Sequence, residues 1–447
     1  MKRLKILWCF VNIVLLCSCS AARSLPESEG PEQERTGGNA QNTSGNMIVS
    51  NLHCIPKKNL YFGGSTSKQG YYTITSAFRA DGSTNLLYSD YATQQTVYLC
   101  SAANCTHDTD SCTSWIPFSG GGSLPLVVGE TLILAYPGNL IYIEQIGQIA
   151  LPHFEKMDLD GSHRQELGTL KANQEIIHPF ITDGTYLYFT VRTYSEEAVQ
   201  QEFVKLDIVT GQIESLFDLD QTKNEIVFGA AGNYVLTLQN GDVQTTLVHG
   251  TGQREVVISD QLCRYDLNSL QKEKIFEFPL EDTRFSQYDE HFIYIKDENR
   301  ELHIFNTISL QDEVIRSNIF PEVEDLLDLV VAEAEDDHIL IFSNIRDENM
   351  VIINNECIAI DLKTDKPKPW DLLYQSGDRK TPMTIVAKVP DTTKYFVLTD
   401  EQEPVNLPSI SEEGVPLYLP SMERTFALIE KENYWNSVKE LMCFSKP

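Results

Sequence analysis

The sequence predicts an all-β fold, a β-propeller of seven four-stranded blades, and three observations carry that prediction. A turn followed by alternating aromatic and aliphatic residues recurs seven times. A hairpin turned by Asp or Asn, with Thr or Ser close behind, follows it at about twenty residues or more and is clear six times. Successive hairpin turns stand 40 to 68 residues apart, the length that one blade of two hairpins requires.

The first unit reads "KKNLYF" from Lys57, "GETLILAY" from Gly129, "DGTYLYF" from Asp183, "GNYVLTL" from Gly232, "DEHFIYI" from Asp289, "DDHILIF" from Asp336 and "DTTKYFVL" from Asp391. Each is a polar or glycine turn that opens into a strand rich in β-branched and aromatic residues. The hairpins turn around Asp90, Asp158, Asp207, Asp266, Asn306 and Asp361, with a degenerate seventh expected in Leu417 to Glu430. Their Asp and Thr side chains can cap nearby backbone N–H groups in a tight connection, so they read as structural and not as a ligand site. One such blade cannot bury both of its faces, whereas a closed ring buries each blade against its neighbours. One irregular unit would make the count six or eight.

These hairpins, "MDLDGSHRQELG" from Met157 most of all, resemble those of TolB-type β-propellers and of uncharacterised lipoproteins from Gram-positive bacteria. The resemblance spans about residues 51–445. It implies the propeller fold and leaves the ligand open.

The first residues set the compartment. "MKRLKILWCFVNIVLLCSC" has a basic start, an apolar run from Ile6 to Leu16 and small residues after it, the layout of a secretory signal. A run that short does not make a stable membrane span. "LCSC", Leu16 to Cys19, resembles a bacterial lipobox with Cys19 as the lipidated residue; it departs from the usual pattern in having Cys17 at the second position before it. From Ser20 to about Asn46 the chain is rich in Ser, Glu, Gly, Gln and Asn, a composition that cannot bury a core and is expected to be disordered. Such a tether reaches roughly 25–30 Å. The expected organisation is a lipoprotein signal peptide over 1–18, a lipidated Cys19 and tether over 19–50, and a propeller over 51–447. This places the protein on the extracytoplasmic side of a bacterial cell membrane.

Charge and missing motifs then narrow the function. The 447 residues hold 35 Lys and Arg against 64 Asp and Glu, and removal of the signal takes Lys2, Arg3 and Lys5 with it. So acidic a surface repels phosphate backbones and anionic headgroups, which argues against a nucleic-acid partner and leaves the lipid as the membrane contact. Sialidase-type Asp boxes and a G-x-S-x-G nucleophile elbow are absent from the sequence. The aromatic residues, 19 Tyr and 20 Phe, fall mostly on strand positions and read as core. No catalytic residue is assigned. The function expected first is a binding or scaffolding module for a peptide, glycan or protein at the cell envelope. The alternative is an extracytoplasmic glycan-active hydrolase or lyase with carboxylates converging on the central channel.

The stretch "YLCSAANCTHDTDSC", Tyr98 to Cys112, holds the densest chemistry in the chain. Cys100, Cys105, His107 and Cys112 form C-x4-C-x-H-x4-C, a Cys3His set of the kind that tetrahedral zinc takes. An exported chain also meets an oxidising compartment, so disulfides among Cys54, Cys100, Cys105 and Cys112 are the competing reading; four cysteines allow three pairings. The segment lacks alternation and is full of turn formers, which predicts an exposed connection between the first and second blades. Cys263, Cys357 and Cys443 are expected to be buried.

Overall fold

The computed structural model describes residues 49, 51–55, 63–75, 79, 83–117, 123–137, 151–196, 198–248, 252–280, 283–288, 290–296, 298–320, 329–346, 352–376, 379–410 and 416–445. All of these lie in one compact unit, Met47–Pro447. The signal sequence, Cys19, the tether to Asn46 and the Lys57 turn unit lie outside the described residues.

Seven antiparallel sheets follow one another along the chain, each built on four strands that are consecutive except in blade 4, where a separate hairpin comes between the second and third: blade 1 over 65–98, blade 2 over 124–169, blade 3 over 174–218, blade 4 over 226–279, blade 5 over 283–316, blade 6 over 329–369 and blade 7 over 384–443. The protein is a seven-bladed β-propeller. Six of the predicted turn–strand units are the second strands of blades 2 to 7, such as Thr131–Tyr136, Tyr186–Tyr194 and His291–Lys296. The corresponding strand of blade 1 is Gly70–Ile74, which the repeat pattern had missed.

The apolar runs of these second strands have a direct cause, because each strand is covered on both sides. Leu132, Leu134 and Tyr136 pack toward blade 1, while Ile133 and Ala135 pack toward blade 3. In blade 5, Phe292 and Tyr294 face blade 4, and Ile293 and Ile295 face blade 6. Alternate side chains of one strand thus belong to two different cores, and the period-2 geometry of a strand distributes them.

The hairpin turns behave as their residue types predict. Asp207 Oδ1 accepts from the Val209 and Thr210 amides at 2.8 and 3.0 Å, Asn306 Oδ1 from Ile308 and Ser309 at 3.0 and 2.8 Å, and Asp90 Oδ1 from Ala92 and Thr93 at 3.0 and 2.7 Å. The seventh hairpin departs from expectation. Pro416–Glu430 is one long strand, and the turn after it is replaced by a short helix, Lys431–Trp435, whose Tyr434 and Trp435 plug the interior. Cys263 and Cys357 are buried, but Cys443, on Met442–Cys443, is exposed, so that expectation is corrected.

Among the described residues no strand is exchanged between the first and last blades. Blade 7 meets blade 1 through Phe396, whose ring lies 4.8 Å from Tyr71 and 5.7 Å from Tyr91, and through a bridge in which Thr96 N donates to Ser445 O (3.1 Å) and Ser445 N to Gln94 O (3.0 Å).

Because successive strands alternate direction, the connections fall on two faces. The one bearing the connections from first to second and from third to fourth strands carries mostly short turns. Among the described residues the other carries three hairpins: Val243–Val248 with Gly252–Val257 in blade 4, Leu373–Ser376 with Arg379–Pro382 ahead of blade 7, and the end of Lys394–Ile410 with Pro416–Glu430. Thr384, which opens the innermost strand of blade 7, pairs with Leu398 on the first arm of that last hairpin, and beyond this point the two arms continue their own ladder to Ile410 opposite Pro416. Tyr374 on the second hairpin donates to Glu401 Oε2 (3.3 Å), and Arg424 Nε to Glu401 Oε1 (3.0 Å), so two of the three are tied at their bases.

The N-terminal segment meets the ring on the short-turn face. Val49 exchanges hydrogen bonds with the Asn268 side chain (2.8 and 3.2 Å), and Leu52 N donates to Gly232 O (2.7 Å); both partners sit in turns of blade 4. His53–Ile55 then adds a fifth, antiparallel strand to the innermost edge of blade 3, opposite Thr182, Ile181 and Phe180.

Candidate metal centre

The Cys/His stretch lies on the outer edge of blade 1, at a place the sequence pattern did not reveal. Tyr98 pairs with Leu87, and Leu99 N donates to Leu86 O (3.0 Å). The Leu86 amide then donates to Ser114 O (2.7 Å), and Trp115 and Ile116 pair with Asn85 and Thr84. The outermost strand of blade 1 is therefore interrupted and resumed. Residues 100–113 are an excursion inserted within that strand, rather than a simple link from blade 1 to blade 2.

This excursion folds back so that the donor atoms of Cys100, Cys105, His107 and Cys112 all lie within 4.8 Å of one another, and no disulfide links the three cysteines. His107 Nδ1 stands 3.3 Å from Cys112 Sγ, and the His107 amide donates to Cys105 Sγ at 3.4 Å. A Cys-x-His pair two residues apart can aim both side chains inward because the backbone turns sharply here: Asn104 and His107 adopt φ of +59° and +58°. Burial pushes the Cys100 thiol up, but hydrogen bonds from the Ala102 backbone and from Cys112, Thr113 and Cys105 outweigh it and draw it down; Cys105 is shifted upward, the His107 amide lowering it while burial and the Cys112 and Cys100 thiols raise it. The three sulfurs act on one another.

The surroundings hold the excursion in place. Asn85 Nδ2 donates to His107 O (3.1 Å) and to Ser114 Oγ (2.9 Å), Ser114 Oγ lies 3.0 Å from Cys112 Sγ, and the His107 ring stacks on Tyr98 at 4.5 Å. Arg79 also donates to His107 O, with its guanidinium 4.4 Å above the Trp115 ring. From blade 2, Arg164 donates to Thr113 O (3.3 Å) and Trp115 O while paired with Glu155 (2.6 Å). Arg79, Asn85, Ser114 and Arg164 were not singled out in the sequence. The only local hint was the proximity of Ser114 and Trp115 to Cys112.

Cys54 is elsewhere. It sits on the strand added to blade 3, opposite Ile181, and packs among the residues of the seam between blades 3 and 4. The fold does not bring it to the other three cysteines.

The innermost strands supply few carboxylates, and those described are engaged in bracing contacts. Glu175 accepts from Tyr194 Oη (2.9 Å) and pairs with Arg192, buried Glu333 accepts from Ile385 N (3.0 Å), and buried Glu335 pairs with Lys388. A cavity of about 220 Å³ between blades 5 and 6 is lined by Ile293, Ile304, Ile315 and Ile339 together with His291 and His338.

No family model and no curated protein matches the chain. Solved structures that it resembles include TolB from Acinetobacter baumannii, at 15% identity and TM-score 0.32 over 79% of this chain and 80% of that one. An oligogalacturonate lyase from Vibrio parahaemolyticus matches at 13% identity and TM-score 0.40 over 82% and 90% of the two chains. The β-propeller domain of the Trilobed protease from Pyrococcus furiosus matches at 14% identity and TM-score 0.37 over 70% and 96%. Likeness at this level concerns the propeller fold alone.

Proposed function

We propose that the chain is a lipid-anchored, extracytoplasmic recognition module, which binds a peptide, glycan or protein partner on the face that carries the projecting hairpins. The observation that carries this reading is the opposition of the two faces. The N-terminal segment joins the ring among the short turns of blade 4, at Val49, Leu52 and Gly232, while the three hairpins project from the other face. A tether leading to a lipid on Cys19 would then hold the short turns toward the membrane and turn the hairpins away from it. Projecting loops on a rigid scaffold are where recognition is commonly built. The anchor itself rests on the sequence from Leu16 to Cys19.

Photo-crosslinking on intact cells tests the reading. A photoreactive residue is placed at Val243, 51% exposed at the base of the blade 4 hairpin, or at Val209, 74% exposed in a short turn of blade 3. Adducts are expected from position 243 and not from position 209. Adducts from 209 alone, or from neither position, contradict the assignment of the recognition face.

A further inference from the structure

We propose that Cys100, Cys105, His107 and Cys112 bind one zinc ion, and that this ion closes the excursion at its base so that the two halves of the outermost strand of blade 1 stay in register.

The geometry of the donors carries the metal. Zinc with Zn–S bonds of about 2.3 Å and Zn–N bonds of about 2.0–2.1 Å has tetrahedral edges of about 3.8 Å between sulfurs and about 3.6 Å between sulfur and nitrogen. All four donors lie within 4.8 Å of one another, and the 3.3 Å from His107 Nδ1 to Cys112 Sγ is close to such an edge. That contact makes Nδ1 the ligating nitrogen. A disulfide, by contrast, brings two sulfurs to about 2.05 Å. It would leave the third thiol and the histidine without a role, since Cys54 is on another blade.

Donor chemistry selects the ion. Three thiolates and one imidazole in a tetrahedral set suit zinc, and four protein ligands leave no open position for a substrate, so the site is structural. The outer contacts match that purpose: the His107 amide donates to Cys105 Sγ, and Ser114 Oγ, fully buried, lies 3.0 Å from Cys112 Sγ. Hydrogen bonds of this kind orient ligands and stabilise thiolate charge.

The position of the site in the sheet gives the ion its task. Cys100 follows Leu99, the last residue paired before the excursion, and Cys112 precedes Ser114, the first paired after it. An open loop of that length between two short strand pieces costs closure entropy, and a two-residue strand such as Trp115–Ile116 supplies little to offset it. A metal bridging both ends removes most of that cost.

The test uses the mature protein as purified, without added metal. About one equivalent of zinc per chain is expected by elemental analysis, and exchange into cobalt should give the ligand-field bands of a tetrahedral thiolate-rich site with thiolate-to-cobalt charge transfer. His107→Ala and Cys112→Ser should each weaken zinc binding at least about 100-fold, while Cys443→Ser, at an exposed cysteine on blade 7 that is not among the four donors, should not. Chelation should speed amide exchange of Leu86 and Trp115 at least about tenfold and leave blade 4 unchanged. The cobalt spectrum of the unmodified protein keeps the test decisive even where a ligand variant misfolds. A disulfide among Cys100, Cys105 and Cys112 in the unreduced protein overturns the proposal. So does a reduced protein that takes up neither zinc nor cobalt, and so does zinc bound with undiminished affinity by both ligand variants.

Discussion

Replacing Phe396 by alanine probes how the ring is shut. Its side chain is fully buried and meets Tyr71 and Tyr91 of blade 1 at 4.8 and 5.7 Å, and Phe426 and Phe444 of its own blade at 5.0 and 5.3 Å. Truncating such a ring removes its transfer energy and leaves a cavity, a loss of about 3–5 kcal/mol. For a folded unit of about 400 residues the entropy of unfolding is roughly 0.8 kcal/mol/K, so the expected fall in Tm is about 4–6 °C. Phe292→Ala is the matched control. Phe292 is equally buried and equally aromatic in its surroundings, but it lies at the seam between blades 4 and 5, whose chain is continuous. The two variants should lose similar Tm by calorimetry and differ in how they open. Phe396→Ala weakens the one seam where the ring's two ends meet, so limited proteolysis below the Tm should first release pieces of blade 7 or blade 1. Phe292→Ala should show no such early release. If both are cut in the same order, or if Phe396→Ala melts within about 1 °C of the parent, closure by that aromatic cluster is refuted.

Three further outcomes are expected. A chain ending at Ser409 loses the third and fourth strands of blade 7 and should be insoluble or rapidly degraded, because an apolar blade face and strand edges are exposed; its purification as a compact, cooperatively unfolding monomer would sink the closed ring. Cys19→Ala should move the protein from the membrane fraction to the soluble envelope fraction or medium, and retention in the membrane would exclude lipidation there as the anchor. Burial raises the Asp260 carboxyl to about 6, so the folded state holds its proton more tightly than the unfolded chain, and stability falls as pH rises from about 4 to about 6. Asp260→Asn should therefore stabilise the protein by about 1–3 kcal/mol at pH 7.5 and by almost nothing below pH ~4, as read from denaturant melts; an equal gain at both pH values would show that the carboxylate's burial is not the cause.

Much of the ring was legible because its physics is local and repeated. A strand covered on both faces must be apolar at consecutive positions, as in "TLILAY" and "HFIYI", and a tight hairpin needs an Asp or Asn to cap it. What escaped the pattern depended on partners distant in sequence. Gly70–Ile74 was overlooked because its turn, Ser67 to Gln69, is capped by the Ser67 hydroxyl (3.3 and 3.2 Å to the Gln69 and Gly70 amides) instead of an acid, while "KKNLYF" carried a better apolar pattern nearby. The stretch Leu417 to Glu430, where a hairpin was expected, is a single strand, and the helix Lys431–Trp435 follows it; the helix's tyrosine and tryptophan could only be recognised as core once Trp370 and Tyr395 stood beside them. At the cysteine stretch the residue types and their exposure could be read directly. Its insertion inside a strand could not, since that follows from Leu86 and Asn85 meeting Ser114 and Trp115 across the interruption.

The short strand His53–Ile55 also decides how the molecule would respond to force. It runs antiparallel to Gln174–Thr182, starting from the short-turn face, so a pull on Val49 away from that face draws it along its own axis. The hydrogen bonds to Thr182, Ile181 and Phe180 are then loaded in shear and resist together, instead of being unzipped singly. When they give way, the three-residue strand slides out as a slack leader, and the seven four-stranded sheets, none of which borrows a strand from it, keep their own ladders. A protein held in flowing surroundings by its N-terminus would thus have a sacrificial link ahead of its folded body. Stretching from residue 49 should show a small, early release before any blade unravels.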